Sequence, residues 1–532
     1  MSVFADLKLT DFTLPMLLGR QAARLRDKTY LWFEGETWSY QDADHLSDCL
    51  AAGFQSVGVV KGSHVAVLMG NHPQMVWTIF ALAKLGAVSV LINTAARGEQ
   101  LNYFLTQSDS LFLIADQALL PGALEAYGET SGRLVTICNG EGSTADYRLA
   151  DLYLDGAPEI VDPPKFSDNQ VMMYTSGTTG PSKGVLNTYA QAVGAARDIA
   201  TVHDYTEDDV LFTCLPLFHA NAFRATMTCA LWAGATFALS VRFSARNFWR
   251  EIRESCATEF NGLGAMLSIL LKLEPSEKER DHRLRMCCIA PSPSPKDTRI
   301  IEQRFRLAVT ALYGSTEIGV PLYTGLGTPN AKWPTCGQVI ASFEMKVVDE
   351  NDIEVPDGTP GEFVCRARDP WIGFSGYYKM PLETAQANRN YWFHTGDRGA
   401  RDADGYFYFT DRKKESIRRR GENVSSFEVE SIIAGIDAVA EVAVIPVPSP
   451  LGEDDIAAFV VRKPNATLGE VEVISHCKVS MAYFMVPRFV LFIDEMPKNS
   501  SEKIEKYKLR PIYDANAATC WDAEKIEIRL AG

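Results

Sequence analysis

A run of small and polar residues at positions 175–184 carries the clearest chemistry in the sequence. It holds three glycines, which allow tight turns and bring backbone N–H groups close to a ligand. Five hydroxyl side chains add short donors, and Lys183 adds a positive charge. Together these groups suit a polyphosphate. Ser182 precedes Lys183 and Gly184 follows it, so the run lacks the Gly-Lys-Ser/Thr order of the common phosphate loop. A surface turn rich in glycine and serine is the alternative.

The residues on either side of this run predict regular structure. The apolar stretch 171–174 predicts a buried strand, and residues 189–200 predict a helix. The run is therefore expected between a strand and a helix, where backbone donors of a turn can face a ligand.

Four further segments recur in a fixed order along the chain. They are Tyr-Gly-Ser-Thr-Glu at 313–317, Tyr-Trp-Phe-His-Thr-Gly-Asp at 391–397, Asp-Arg-Lys-Lys-Glu-Ser-Ile at 411–417 and Pro-Lys-Asn-Ser-Ser-Glu-Lys-Ile at 497–504. With the run at 175–184, they resemble the motifs of the adenylate-forming superfamily, which contains acyl-CoA synthetases, luciferases and adenylation domains. The run Arg-Arg-Arg-Gly-Glu-Asn at 418–423 is most similar to the branch that contains carnitine-CoA ligase.

The resemblance implies an ATP-dependent carboxylic acid–CoA ligase. The acid and ATP would give an acyl-adenylate and pyrophosphate, and coenzyme A would then give acyl-CoA and AMP. One alternative passes the adenylate to a carrier protein or a separate transferase. Two further alternatives, a kinase or motor and a non-enzymatic nucleotide sensor, fit the motifs less well, because the Gly-Lys-Ser/Thr order is missing and a sensor gives Lys503 no role.

The resemblance assigns the nucleotide site residue by residue. Glu317 would hold Mg²⁺, a hard cation that prefers oxygen ligands. Tyr313 would lie against adenine, and Asp397 would accept the ribose hydroxyls. The full expected ATP-binding set is Thr175, Ser176, Gly177, Thr178, Thr179, Gly180, Lys183, Ala290, Pro291, Ser292, Tyr313, Gly314, Ser315, Thr316, Asp397, Phe409, Arg412 and Lys503. The chain departs from the family before Ala290, where Cys288 and Ile289 stand in place of the usual glycine.

The resemblance assigns catalytic roles to Lys503, His219, Glu317 and Lys183. Lys503 would stabilise the charge that builds up during adenylation. Lys414 would be the hinge about which the C-terminal domain rotates between the two half-reactions. Rotation would bring in a CoA-binding loop formed by Arg418, Arg420, Gly421 and Glu422. Two departures fall in this part: Ser426 replaces a common proline, and Glu502 stands where glycine is common.

The segment Leu-Pro-Leu-Phe-His at 215–219 resembles the entrance of the acyl site. The resemblance makes His219 the gate of the carboxylate channel. His219, Asn221, Phe223, Gly262 and Ala265 would line the acyl pocket. These side chains are mixed in polarity and do not identify the acid.

Bulk composition limits the remaining possibilities. The 532 residues carry 52 basic and 67 acidic side chains, and the net charge of −15 argues against nucleic acid as a partner. The eleven cysteines are scattered, which suits a reducing cytosol. The longest apolar stretch, 76–92, is interrupted by Lys84 and Gly86, so no transmembrane segment is expected. The resemblance allows a homodimer.

Strand-like and helix-like segments alternate through the first four hundred residues or so, which predicts an α/β fold with mostly parallel sheets. Strands are expected at 65–69, 88–92, 111–115 and 134–138, with a helix at 74–85. The resemblance predicts a large N-terminal domain of layered α/β subdomains at 1–411, and a small, mobile α+β domain at 412–532. A capping-box pattern, Ser-Ser-Phe-Glu at 425–428, predicts a helix start with the basic run directly in front of it.

Overall fold

The computed structural model describes residues 4, 6–128, 133–141, 144–175, 181–412, 416–450, 452–498, 504–517 and 520–525. The helices among them are α1 (Leu14–Leu25), α2 (Tyr40–Ser56), α3 (Pro73–Leu85), α4 (Gly98–Gln107), α5 (Leu120–Tyr127), α6 (Tyr189–Val202), α7 (Cys229–Ala233), α8 (Phe248–Glu254), α9 (Gly264–Lys272), α10 (Pro295–Phe305), α11 (Pro381–Ala387), α12 (Ser426–Ala434), α13 (Glu470–Ser480) and α14 (Leu509–Asn516). A π-helical segment covers Asn221–Thr228, directly before α7.

The strands are β1 (Thr29–Phe33), β2 (Glu36–Ser39), β3 (His64–Leu68), β4 (Val88–Leu91), β5 (Phe112–Asp116), β6 (Val135–Asn139), β7 (Tyr147–Arg148), β8 (Asn169–Thr175), β9 (Lys183–Thr188), β10 (Val210–Thr213), β11 (Thr236–Leu239), β12 (Glu259–Leu263), β13 (Met286–Ala290), β14 (Ala308–Ser315), β15 (Gly319–Thr324), β16 (Gln338–Val339), β17 (Phe343–Val348), β18 (Gly361–Ala367), β19 (Phe393–Arg401), β20 (Phe407–Arg412), β21 (Ser416–Arg419), β22 (Glu422–Ser425), β23 (Val439–Pro448), β24 (Asp454–Arg462), β25 (Phe489–Phe492) and β26 (Trp521–Asp522).

The first large sheet has the order β7-β6-β5-β3-β4-β8-β9. The four strands expected near the N-terminus are β3, β4, β5 and β6, and the expected helix is α3. All pairings in this sheet are parallel except that of β8 with β9. The strand predicted at 171–174 is confirmed as part of β8, and the helix predicted at 189–200 is confirmed as α6. The sequence did not predict β9, an antiparallel strand that begins at Lys183 within the run and ends directly before α6.

The second large sheet has the order β16-β15-β14-β13-β12-β10-β11-β1-β2. Its centre, from β14 to β1, is parallel. Every residue of α3 except Gln74 is buried, and one hydrophobic cluster joins α3 and α6 with strands of both large sheets. Helices buried between parallel sheets explain why these segments are apolar nearly throughout.

The rest of the chain forms smaller units. An antiparallel sheet, β17-β18-β19-β20, precedes the hairpin β21-β22, and the last sheet is β23-β24-β25-β26. The C-terminal part has hydrophobic clusters of its own, one of which begins at Ile417. The expected α/β architecture, with a large N-terminal part and a small C-terminal part, is confirmed. The boundary at residues 411 and 412 stays a prediction, and β20 runs through it.

The helix start near Ser425 is confirmed, but two details differ from the prediction. Ser425 Oγ accepts a hydrogen bond from the Glu428 N–H at 3.4 Å, while the Glu428 carboxylate bonds to Ser182 of the N-terminal part. Only half of the capping box is therefore seen. The basic run also forms the turn of the hairpin β21-β22, since Arg420 and Gly421 have φ of 53° and 81°.

Candidate active site

The second motif lies beside both ends of the phosphate-binding run. Thr175 ends β8 and Lys183 begins β9, so their backbones pair across the hairpin. Glu317 Oε1 accepts from the Tyr377 hydroxyl at 3.1 Å and lies 3.5 Å from Thr175 Oγ1. The Lys183 ammonium lies 4.7 Å from the centre of the Tyr377 ring. A carboxylate, a hydroxyl and an ammonium are thus gathered at Thr175 and Lys183, near the two ends of the run.

A buried network supports this motif from behind. Arg224, in the π-helical segment, is 2% exposed and donates to the Thr316 carbonyl at 2.9 Å. Its guanidinium also donates to Asn187 Oδ1. Gln191 of α6 donates to the Glu317 carbonyl at 2.6 Å. Burial lowers the pKa of Arg224 to about 10, and the charge of Glu317 opposes that shift. The backbone before and at Glu317 is therefore held by amide and guanidinium donors.

Sequence reasoning missed Arg224. Between His219 and Leu239 it is the one charged residue in a mostly apolar stretch, and that isolation is the signal that could have found it. Asn187 and Gln191 carry no comparable signal, because polar residues at a strand end and in a first helical turn are common.

The ribose and adenine residues also come together. The Tyr313 hydroxyl donates to Asp397 Oδ2 at 2.6 Å, and Asp397 is 6% exposed. Burial, with the charge of Asp397 next, raises the pKa of Tyr313 well above its ordinary value. Arg412 is the strand partner of Asp397 in the β19-β20 register. Phe409, on the same strand as Arg412, is about half exposed.

The segment expected on the other side of adenine follows β13. Ala290 ends that strand, and Ser292 Oγ donates to the Thr335 carbonyl at 2.6 Å. Ala290 is the register partner of Leu263 on β12, which places this segment beside the acyl residues. The Cys288 and Ile289 departure lies inside the buried strand, where both side chains belong to the interior.

The acyl residues lie at the end of β12 and in the π-helical segment. Asn261 donates to Asn221 Oδ1 at 2.5 Å, and Phe223 is buried. A Cβ on Gly262 would lie 3.2 Å from Met266 Cε, so glycine leaves room there. Ala265 is in the first turn of α9. Local π-helix is frequent at functional sites, where the extra residue per turn redirects side chains.

The hairpin loop of the C-terminal part reaches these acyl residues. His219 Nε2 lies 2.7 Å from Glu422 Oε1, and Asn93 Nδ2 donates to the same oxygen at 3.3 Å. A Cβ on Gly421 would lie 2.5 Å from Leu263 Cδ1. Burial alone would raise the pKa of Glu422, but His219, Arg418 and Asn93 together lower it. Sequence reasoning missed Asn93, which carries no signal outside the fold.

A cavity of about 440 Å³ opens beside this hairpin, between the two parts of the chain. Its lining is strongly basic. The charged and aromatic residues that line it are Arg97, Arg419, Arg420, Lys478, Tyr483, Arg488 and Glu524. Arg420 lies over the Tyr483 ring and donates to Glu524 at 3.0 Å. Arg418 is not part of this lining; its side chain donates to Asn423.

Several expected site residues lie outside the described residues. They are Ser176, Gly177, Thr178, Thr179, Gly180, Lys414 and Lys503. Ser426, the departure in the CoA loop, begins α12 and accepts from Lys506 Nζ at 2.8 Å, within the C-terminal part. Among the residues that the structure describes, no group of three or more His, Cys, Asp or Glu side chains could hold a metal ion.

Family models match most of the chain. The AMP-binding enzyme model matches residues 18–378, and the model of the AMP-binding enzyme C-terminal domain matches residues 428–503. The chain therefore belongs to the AMP-binding enzymes, the adenylate-forming superfamily. Within the described parts of the chain, no helix is long and apolar enough to cross a membrane.

Individual relatives agree with this assignment. Crotonobetaine/carnitine–CoA ligase of Salmonella arizonae is 32% identical over 496 residues, which cover 91% of this chain and 96% of the relative. The o-succinylbenzoate CoA synthetase of Bacillus subtilis is 25% identical with a TM-score of 0.83, covering 93% of this chain and 97% of that one. MatB of Rhodopseudomonas palustris, solved with ATP, is 25% identical with a TM-score of 0.68, covering 93% and 98%. The chain is an acid–thiol ligase of the acyl-CoA synthetase type.

Proposed function

We propose that this protein activates a carboxylic acid with ATP and transfers the acyl group from the adenylate to coenzyme A. One observation carries the second step: the Gly421 and Glu422 loop lies against His219 and Leu263, on the acyl side of the N-terminal part. A CoA-binding loop must reach the acyl carbonyl before a thiol can attack it. The Bacillus subtilis relative was solved with a CoA product analogue, which supports coenzyme A as the acceptor.

In the first half-reaction two anions must meet, because the carboxylate attacks the α-phosphorus of ATP. The protein supplies charge and alignment and needs no nucleophile of its own. Lys183 and the run at 175–184 would bind the β- and γ-phosphates. Asp397 and Tyr313 would place the nucleoside, and the proposed acid would lie near His219.

A magnesium ion fits the Glu317 carboxylate, a hard oxygen ligand beside the phosphate-binding run. Bound there, Mg²⁺ would neutralise phosphate charge. Among the described residues Glu317 belongs to no group of three or more His, Cys, Asp or Glu side chains that could hold a metal, so phosphate oxygens and water would supply most of the coordination. The network of Arg224, Asn187 and Gln191 keeps the backbone at Glu317 in place for this role.

In the second half-reaction the basic cavity fits the phosphates of coenzyme A. Its lining includes Arg420, directly before Gly421, and Gly421 packs closely against Leu263. The pantetheine chain of coenzyme A would pass along the Gly421 backbone toward the acyl side. His219 and Glu422 would stand at the end of that path. All eleven cysteines are free, and eight of them are buried, which supports a reducing cytosol as the place of action. The homodimer stays a prediction.

The identity of the acid is open to a direct screen. The panel consists of crotonobetaine, carnitine, o-succinylbenzoate, anthranilate and benzoate, the acids named for relatives. Pyrophosphate release is measured with and without coenzyme A, and nucleotide products are separated. We expect AMP as the product with at least one acid. ADP would contradict the proposal, and adenylate without CoA consumption would favour a carrier protein or separate transferase as acceptor.

Lys503→Ala tests the division between the half-reactions. With the acid that the panel selects, adenylation should fall by about 10²-fold or more, because a cation near the reacting phosphate is lost. Thioester formation from supplied acyl-adenylate should remain. A matched control is Lys498→Ala, whose ammonium bonds to Glu441 within the C-terminal part at 2.6 Å. Equal loss of both half-reactions would contradict the assignment of Lys503.

A further inference from the structure

A glutamate of the C-terminal part bonds to the phosphate-binding run of the N-terminal part. The Ser182 N–H donates to Glu428 Oε1 at 2.7 Å, and the Ser182 hydroxyl donates to the same oxygen. Ser182 is 3% exposed, and its carbonyl accepts from the Tyr103 hydroxyl at 2.8 Å. Helix α12 thus presents a carboxylate to a backbone donor of the run, while Tyr103 of α4 holds the same residue from the other side.

This contact replaces the one that the local sequence predicts for Glu428. At the third position of α12, a carboxylate would ordinarily turn back to the N–H of its own helix cap. In the structure Ser425 Oγ still accepts the Glu428 N–H, but the carboxylate reaches across to Ser182. Burial raises the pKa of Glu428 to about 7, and the two Ser182 donors oppose that rise. Within the part of the chain that the structure describes, Ser182 therefore stabilises the charged form.

The donors that Glu428 takes are of the kind that bind a phosphate oxygen. One oxygen receives a backbone N–H and a hydroxyl from a glycine- and hydroxyl-rich run, which is the usual chemistry of anion binding by such loops. A single N–H cannot serve a carboxylate and a phosphate oxygen at full strength together. In the same structure Glu422 lies on His219, so the Ser182 bond forms while the CoA-binding loop is docked on the acyl side.

We propose that Glu428 is a positioning residue for thioester formation, whose carboxylate docks the C-terminal domain on the Ser182 donors that a pyrophosphate oxygen occupies during adenylation. The proposal rests on the proposed function, since it takes the run at 175–184 as the phosphate site. Docking of the CoA-binding loop and retention of pyrophosphate then exclude each other at Ser182. Release of pyrophosphate frees the donors, and the docked arrangement follows.

Pyrophosphate binding and domain docking are thermodynamically linked through Ser182, so each weakens the other. This competition can be measured without knowledge of the acid. If pyrophosphate must displace Glu428, then removal of the carboxylate strengthens pyrophosphate binding by the same factor as it weakens docking. The probe is inorganic pyrophosphate with Mg²⁺, titrated calorimetrically into the whole protein. We expect Glu428→Ala to bind it about three- to tenfold more tightly than the natural protein, the range for one buried hydrogen-bonded group.

Two further variants separate the effect of the Glu428 charge from the effect of any charge change on α12. Glu428→Gln keeps an acceptor oxygen for the Ser182 N–H, so its pyrophosphate affinity should lie between those of the natural protein and Glu428→Ala. Glu430→Gln is the matched control on the same helix. Glu430 accepts from the Val444 N–H at 2.6 Å and pairs with Lys506 at 2.7 Å, both within the C-terminal part. We expect this control to bind pyrophosphate like the natural protein.

A second measurement reports directly whether the C-terminal part is docked on the N-terminal part. Gln100 Nε2 lies 3.0 Å from Met485 Sδ across the two parts. Cysteines at these positions, with the exposed Cys256 changed to serine, report docking through the yield of a short bis-maleimide cross-link. Pyrophosphate should lower the yield in the natural background. Without any ligand, Glu428→Ala should lower the ratio of docked to undocked protein, which the yield reports, by about three- to tenfold.

The outcomes separate the two proposals. Equal pyrophosphate affinity in the natural protein and Glu428→Ala, or a cross-link yield that pyrophosphate leaves unchanged, would overturn the role of Glu428 while the phosphate site stands. Failure of the natural protein to bind pyrophosphate at all would overturn both. A Glu430→Gln affinity that rises as far as that of Glu428→Ala would also overturn the proposal, since any charge change on α12 would then act alike.

Discussion

The nucleotide side and the thiol side of this site are built in different ways. Glu317 and its neighbours are held inside the N-terminal part by donors on α6 and the π-helical segment, and Arg224 is almost completely buried there. His219 instead meets its partner Glu422 across the junction of the two parts, and the same is true of Ser182 and Glu428. The nucleotide side is therefore pre-organised, whereas the thiol side exists only when the two parts dock.

This difference has a functional consequence. Adenylation needs fixed charges that are in place before ATP arrives, because reorganisation during the reaction costs rate. Thioester formation needs a surface that opens and closes, because the same acyl carbonyl must first meet phosphate and then meet a thiol. Polar contacts between domains, such as Glu422 with His219 and Glu428 with Ser182, suit an arrangement that must be broken in every cycle.

Glu317→Gln should have the largest effect on the pre-organised side. We expect adenylation to fall by about 10²- to 10³-fold, because the carboxylate proposed for Mg²⁺ is lost. Tyr377→Phe removes only one hydrogen bond to Glu317 and should cost a few-fold. Pyrophosphate–ATP exchange measures both. Equal rates for Glu317→Gln and the natural protein would break the assignment of Glu317.

Gly421→Ala should act on the thiol side alone. The added Cβ would lie 2.5 Å from Leu263 Cδ1, on a backbone with φ of 81°. Thioester formation from supplied acyl-adenylate should fall by about tenfold to a hundredfold, with adenylation spared. Gly405→Ala is the control, since Gly405 has φ of 80° and open space around its Cα. If the two variants slow thioester formation alike, backbone strain and not the Leu263 contact explains the loss.

Arg224→Met should impair the nucleotide side, because Arg224 holds the backbone next to Glu317. Loss of the guanidinium removes a donor from the buried Asn187 Oδ1 and leaves the Thr316 carbonyl with the longer bond from Asn187 Nδ2 at 3.3 Å, so we expect adenylation to fall by about tenfold and thermal stability to drop. Arg197→Met, whose guanidinium donates to Asp198 and Ser342, is the control outside the motif. A stability loss without any change in adenylation would show that Arg224 only holds the fold.

Glu422→Gln should have the smallest effect. The amide keeps an acceptor for His219 but loses the charge, so thioester formation should fall by about three- to tenfold. The pKa of Glu422 is lowered in the docked state, so its contribution to docking is complete above the ordinary value of 4.5 and is lost as the pH falls through the lowered value. The yield of the cross-link between cysteines at positions 100 and 485 measures this loss of docking as the pH falls. If Glu422→Gln loses docking over the same pH range as the natural protein, the titrating group is not Glu422.

The sequence determined the chemical class of this protein, because five motifs in order specify which groups meet a nucleotide, and such groups lie at strand ends whose apolar patterns are readable. It also determined the alternation of strands and helices, since burial between parallel sheets leaves apolar runs of strand and helix length. Asp397 is identified by motif position alone, although nothing in its neighbours indicates a site.

Only the tertiary structure decided which partners these groups have. The sequence predicted the helix at 189–200 but not the strand β9 directly in front of it, because pairing with β8 is a contact between strands that a local pattern does not contain. A capping-box pattern describes only four consecutive residues, so it could not show that Glu428 bonds to Ser182, 246 positions away. Arg224, Asn93 and Glu428 act through contacts distant in sequence, and such contacts exist only once the chain has folded and its two parts have docked.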